Sequence, residues 1–374
     1  QARIFGLPFD QGEVRERDYF FIVSFSLWGL WTGIGLTALW LESAAKFGRD
    51  SRALLKGSPV MAVALLPLVL NWSYASRAGD YSARDWAYNL LNSVEPYSVL
   101  ITNGDNDTFP LWYLQEVEGI RQDVTVVVWS YLNTPWYARQ IRDLTRPCNQ
   151  PGQARTAPTR IVCQREFDPA TAPPIYGDGT YPSDTVLPLS DQEIETVTRL
   201  GYVQLPQDVL FEAGGVRVPM AEGTILAAAN QFILSMIRNS WGDRPIYFAM
   251  TTGTHHDLGL GPYVARQGLA FRLIRPETAE AEGLVPMPRD PNWSSLFGAY
   301  LDVDKTRQLL WEHFIYRGLP GAMDRWVDDS TRQIPTYYGY AHIALSQAEQ
   351  EMGNEEDVER NLDRADEWIA LSER

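Results

Sequence analysis

The sequence is poor in the residues that most often carry out chemistry. Four histidines and two cysteines among 374 residues leave little material for a zinc site or a histidine-based catalytic set. No G-x-S-x-G, P-loop, Rossmann glycine fingerprint, H-E-x-x-H or C-x-x-C-H pattern occurs, which removes the common hydrolase, nucleotide-binding, zinc-protease and covalent-haem readings. Net positive charge is also lacking, the formal balance being −15. Residues 1–76 hold 7 Lys/Arg and 6 Asp/Glu, leaving 25 against 41, or −16, for residues 77–374. So acidic a part does not suit nucleic acid, nor lying flat on anionic lipid. No cofactor is expected.

Long apolar runs, by contrast, are present. Tyr19 to Leu41 carries no charge and matches the thickness of a bilayer core, which predicts a transmembrane helix. Gly29 and Gly33 within it suit close approach of another helix. A second run, Pro59–Tyr74, contains Pro67 and Asn71 and is expected to complete a hairpin over 19–76. Trp40 and Trp72 fit an aromatic belt. The segment between the runs, Glu42–Gly57, carries Lys46, Arg49, Arg52 and Lys56 against Glu42 and Asp50. By the positive-inside rule it is cytoplasmic, and both 1–18 and 77–374 lie outside the cytoplasm. No signal peptide is visible at Gln1, so either a processed chain or part of something longer is expected.

Cys148 and Cys163 stand fifteen residues apart in an irregular stretch, 145–190, rich in Pro, Gly, Thr and Asp. In an oxidising compartment they are expected to form a disulfide, which would close a loop worth roughly 3 kcal/mol.

The stretch around which the rest is organised is Ser98–Ser130. Val99–Thr102 and Val124–Val128 read as strands buried on both faces. Between them, Asn103–Asp107 reads as an acidic loop, followed by a helix capped by Thr108, with Pro110 in its first turn and Leu111, Leu114 and Val117 on one face. This is a βαβ unit with its acidic loop where α/β sheets place sites. Asp105-Asn106-Asp107 has the D-x-D form that can hold a divalent cation through oxygen. The simpler alternative, preferred on the residues alone, is a turn whose carboxylates bond backbone N–H groups. His255-His256-Asp257 follows a predicted strand, Pro245–Thr251, and adjacent histidines in extended chain make a poor chelate. His313 and His342 sit in helical patterns and read as packing or surface residues.

Thr224–Ser240 shows the clearest soluble helical period, with Ile225, Leu226, Ala229, Phe232, Ile233, Met236 and Ile237 on one face. The last segment, 331–374, reads as two amphipathic helices joined at Gly353-Asn354. Leu345, Ser346, Gly353, Val358, Leu362 and Ala365 stand where a tetratricopeptide-like repeat (TPR-like) has its packing residues and turn. One such unit cannot bury its own faces and must pack on the body, on further repeats or on another protein. The fold class expected is therefore an extracytoplasmic α/β domain over 77–330, anchored by a transmembrane hairpin and followed by a TPR-like helix pair.

Residues 103–123, from Asn-Gly-Asp-Asn-Asp-Thr-Phe-Pro onward, and Ser-Tyr-Leu-Asn-Thr-Pro-Trp-Tyr (130–137) resemble bacterial DUF2723 proteins. These are glycosyltransferase family 117 membrane proteins, related to protein O-mannosyltransferases. Residues 14–21, 242–249 and 268–273 add to the likeness. The resemblance covers most of this chain but only the C-terminal half of such proteins, without their polytopic catalytic half. It implies a bacterial inner-membrane protein with its main domain in the periplasm. Two functions are open at this point. The first is a non-catalytic accessory subunit that docks on other protein subunits of a larger membrane complex, an energy-transducing one being suitable. The second is the acceptor-binding C-terminal half of a protein glycosyltransferase.

Overall fold

In the computed structural model, residues 3–4, 7–8, 21–150, 152–155, 163–288, 297–317, 319, 326 and 329–373 are described. Two compact units emerge, 1–80 with 325–332, and 81–324 with 333–374. Of the expected N-terminal segment 1–18, only the paired stretches Arg3–Ile4 and Leu7–Pro8 fall within the described residues.

In the first unit, the leading apolar run is helix α1, Ile22–Ala45. The second run begins earlier than its apolar pattern indicates. Asp50 caps helix α2, Ser51–Gly57, its carboxylate accepting from Ala53 N at 3.0 Å. The chain continues through a 3₁₀ stretch, Ser58–Leu65, into α3, Leu66–Ala75. Arg52 and Lys56 therefore stand on a helix, and the true turn shrinks to residues 46–50. Ile22–Ala45 and Ser51–Trp72 are both long and apolar enough to cross a bilayer. The hairpin closes on Gly57, where a Cβ would stand 2.7 Å from Ala44 N, and on Trp40 Nε1, which donates to Leu54 O at 2.9 Å. Gly29 and Gly33 have nothing within 4 Å of where a Cβ would lie.

The second unit is built on a mixed seven-stranded sheet. After α4, Ser82–Leu91, which buries Trp86, Leu90 and Leu91, come β1, Val99–Thr102, α5, Asp105–Glu116, and β2, Thr125–Val128. The two strands run parallel, Val99 opposite Thr125 through Thr102 opposite Val128. All eight residues are buried, which is why both strands read as continuous apolar runs. Helix α6, Pro135–Leu144, precedes the irregular stretch, in which Cys148 and Cys163 are disulfide-bonded. Helix α7, Asp191–Leu200, opens on a Ser190/Glu193 capping box. Two small antiparallel pairs follow: β3, Tyr202–Gln204, with β6, Ile225–Ala227, and β4, Val209–Ala213, with β5, Val216–Met220. Helix α8 spans Ala228–Ser240. Ile225 and Leu226, expected on that helix, belong to β6, and Ile225 is exposed.

The remaining elements are β7, Ile246–Ala249, α9, Thr254–Asp257, β8, Val264–Gln267, β9, Ala270–Leu273, β10, Val285–Pro286, β11, Tyr300–Leu301, and α10, Val303–Gln308. The sheet order is β10-β11-β8-β9-β7-β1-β2, with β7, β1 and β2 mutually parallel. Its main core lies on the face carrying Val99, Ile101, Phe248 and Phe271, against Phe232, Ile233, Met236 and Ile237 of α8.

The C-terminal pair consists of α11, Ile334–Met352, and α12, Glu355–Ser372, joined at Gly353 with φ +78°. The pair packs on the body of its own unit. Asn89 donates to Tyr338 Oη at 2.8 Å, and Arg307 Nε to Glu349 at 3.0 Å. Leu345, Ser346 and Ala365 are buried and Val358 is half-buried, but Leu362 is 45 % exposed. Asn361 and Trp368 fill the interior instead.

Candidate functional site

The carboxyl end of β1 is where sequence and topology converge. Helix α5 begins at Asp105, not beyond Thr108, so both aspartates lie in its first turn and Pro110 lies inside the helix. Leu111 and Leu114 are buried as expected, whereas Val117 is 67 % exposed. Asp107 is buried, accepting from Asn103 N at 2.8 Å, Gly104 N at 2.9 Å and Thr251 Oγ1 at 2.6 Å. The early start follows from these bonds, because the carboxylate satisfies N–H groups that a helix N-terminus leaves open. Asp105 turns outward and accepts from Tyr131 Oη at 3.1 Å. The two D-x-D carboxylates thus have different employments. A cation held by both would have to strip Asp107 of three donors. Among the described residues, no group of three His, Cys, Asp or Glu could hold a metal ion.

From Asp105 a row of aromatic rings runs across the surface. Phe109 and Trp112 lie 5.7 Å apart, Trp112 and Tyr131 6.3 Å, and Tyr131 and Trp136 6.1 Å between centroids. Phe109, Tyr113 and Trp136 are about half exposed. Burial, with Asp105 adding to it, holds the Tyr131 phenol above its ordinary range. Tyr137 braces the row from below and seals the sheet edge. Its hydroxyl accepts from Val128 N at 2.9 Å and donates to Val126 O at 3.2 Å, occupying backbone groups that edge strand β2 would otherwise present.

Beside this edge lies a pocket of about 270 Å³ lined by Trp112, Gln115, Gln122, Tyr137, Gln140 and Gln164, among others. Three of the amides are committed to the backbone, Gln122 Nε2 donating to Gln115 O at 2.6 Å. Gln115 Nε2 donates to Arg121 O and Val124 O, both at 2.8 Å, and Gln164 Nε2 to Asp123 O at 2.8 Å. The lining offers amides and the Glu116–Arg165 ion pair, 3.0 Å apart, beside an indole. No periodicity marks these glutamines in the sequence, which is why sequence reasoning passed over them.

A larger cleft, about 580 Å³, opens at the opposite end of the parallel strands, lined by Glu95, Tyr176, Trp241, Arg244, Arg272 and Lys305, among others. Its cations are already engaged. Lys305 Nζ reaches Glu95 at 2.7 Å, and Arg272 Nη2 reaches Glu282 at 2.7 Å. Arg244, drawn down to about 10 by burial, donates to Gln164 Oε1 at 2.8 Å and to the carbonyls of Thr145 and Asp184, tying the disulfide-bearing stretch to the sheet.

The histidines depart from the extended geometry expected of them. His255 and His256 lie on the helical turn α9 with ring centroids 4.2 Å apart. Burial, with His256 beside it, presses His255 down to about 3. His342 is buried between α11 and α12, where Nδ1 meets Asn361 Oδ1 at 2.9 Å. His313 ends the π-helical turn Leu309–His313.

Residues 83–151, which carry α4, the βαβ unit, the aromatic row and most of the amide-lined pocket, match the family model described as TMEM260-associated domain 2. No curated protein and no solved structure matches the chain.

Proposed function

We propose that this chain is the membrane-anchored, acceptor-binding part of a glycosyltransferase-like membrane protein: it holds a polypeptide or glycan and does not itself transfer sugar. The observation that carries this reading is the coincidence between the segment matching TMEM260-associated domain 2 and the residues that build the aromatic row and its pocket. That description points towards membrane-associated glycosyltransferase-like proteins. The likeness of 103–123 to the DUF2723 and glycosyltransferase family 117 proteins supports the same reading. Against catalysis by this chain stands Asp107, whose carboxylate is spent on two backbone N–H groups and Thr251.

The full chain in detergent, titrated with a hexose-bearing peptide and with the same peptide unmodified, should show saturable tryptophan-fluorescence changes with at least one of them. Trp136→Ala, which removes an exposed ring, should weaken that binding about five- to tenfold, or about 1–1.4 kcal/mol. No saturation with either peptide, or unchanged affinity in the variant, rejects the reading.

The same reading puts residues 77–374 in the periplasm of a bacterial inner membrane. It is supported by the cations Lys46, Arg49, Arg52 and Lys56 between the two spans and by the Cys148–Cys163 disulfide. A membrane-impermeant amine reagent applied to intact cells should leave Lys46 and Lys56 unmodified; modification of either overturns the topology.

A second reading, a non-catalytic accessory subunit of a larger membrane assembly, is favoured by Gly29 and Gly33, whose helix face has open space beside it. It requires other subunits to accompany the native chain through mild-detergent purification, and purification of the chain alone rejects it.

A further inference from the structure

Among the described residues, Arg266 is an anomalous charge. It lies on β8, wholly buried, opposite Phe271 of β9, which in turn lies opposite Phe248 of β7. Residues directly opposite one another share a sheet face, so its side chain is on the apolar face that packs against α8, near the carboxyl ends of the parallel strands. Its Nε and Nη1 have no hydrogen-bond partner. Nη2 finds only the thioether sulfur of Met250, at 3.9 Å, and the guanidinium leans over the Phe271 ring at 5.4 Å.

The other buried arginines show what is missing. Arg121 has Asp123 and backbone carbonyls, and Arg244 has three hydrogen-bond acceptors. Arg266 has no carboxylate among the described residues, and burial is the sole influence drawing it down, to about 9. At neutral pH it therefore stays charged. A buried charge without a counter-charge is among the costliest arrangements in a fold. Against the same row, on the helical turn α9, His255 is also buried and packs on Phe271 at 4.8 Å.

We infer that Arg266 anchors a binding site for a small oxyanionic group, a carboxylate or a phosphate carried by a ligand, at the carboxyl end of the sheet and distinct from the aromatic row. A guanidinium supplies the fork of donors such groups accept. Unpartnered buried donors in a native fold call for an ion or molecule to satisfy them. This inference does not depend on the glycan reading.

The test is thermal unfolding of the full chain in detergent, with sodium phosphate, sodium acetate or sodium chloride added at matched ionic strength. The wild-type melting temperature should rise saturably with phosphate or with acetate, and whichever acts identifies the group. Arg266→Met should show no such rise and, in buffer without either anion, should melt about 2–4 °C higher than wild type, because an unpaired charge has gone. The wild-type titration stands even if the variant fails to fold. A rise no greater than that with chloride, or none with either anion, overturns the site. So does an Arg266→Met protein that still responds to the anion.

Discussion

Arg121→Ala should unfold the α/β domain under conditions where the wild-type chain is stable. The Arg121 side chain is fully buried and spends its guanidinium on five contacts. Nε and Nη2 meet Asp123 at 3.0 and 3.1 Å, Nη1 donates to Leu91 O and Val94 O, both at 2.9 Å, and Nη2 to Glu95 O at 3.0 Å. Asp123 also accepts from Tyr97 N at 2.9 Å, so the pair fastens the end of α4 and the approach to β1. Phe167 and Tyr176 flank the guanidinium at 5.4 and 5.8 Å. Truncation would leave a buried carboxylate without its cation, costing about 3–5 kcal/mol, and three carbonyls short of a donor, at about 1 kcal/mol or more each. Such a sum is comparable to the whole stability of an ordinary domain. Urea unfolding followed by tryptophan fluorescence measures it. Asp123→Ala should be similarly severe, and the double variant should cost much less than the two singles added. Additive losses, or a loss under about 1 kcal/mol for Arg121→Ala, would show that the network does not hold the domain together.

Mild acid should destabilise the same domain well before its carboxylates titrate. Burial lowers His342 to about 4 and His255 to about 3, both from 6.5. The sign follows from proton uptake. Between about pH 6.5 and 4 an unfolded histidine binds a proton and the folded one does not, so lowering the pH favours unfolding. Each histidine contributes about 1.4 kcal/mol per pH unit across its window, roughly 3 kcal/mol for His342 by pH 4. Above about 6.5 this dependence disappears. The His342 environment explains its part. Asn361 Oδ1 accepts from Trp311 Nε1 at 3.1 Å and faces His342 Nδ1 at 2.9 Å, which assigns the neutral ring's hydrogen to Nδ1. Stability measured from pH 7.5 to 4.5 should fall steeply below 6.5, and His342→Gln should flatten the slope by about half. An unchanged slope in that variant would remove His342 from the account.

How much of this could be read in advance depended on how local the cause was. The βαβ unit was legible because Val99–Thr102 and Thr125–Val128 are buried on both faces and so are apolar but for one threonine each. The turn at Gly353 was legible because only a residue tolerating φ +78° ends that helix there. The start of α5 was not, since one of the bonds that holds Asp107 comes from Thr251 on another strand's end. Nor was the start of α8, because Ile225–Ala227 is drawn into pairing with Tyr202–Gln204, a non-local demand that overrides a helical period.

By itself, then, the order of residues determined two spans long enough for a bilayer, the alternation of buried strands and helices around 98–130, and a polar excursion bearing two cysteines. Each rests on composition or period within a short window. Only the tertiary structure decided which polar groups are sated and which are not: Asp107 and Arg121 found their partners, and Arg266 did not. The physical reason is that hydrogen-bond satisfaction in a core is settled by neighbours in space. For this chain those neighbours lie up to 249 residues apart.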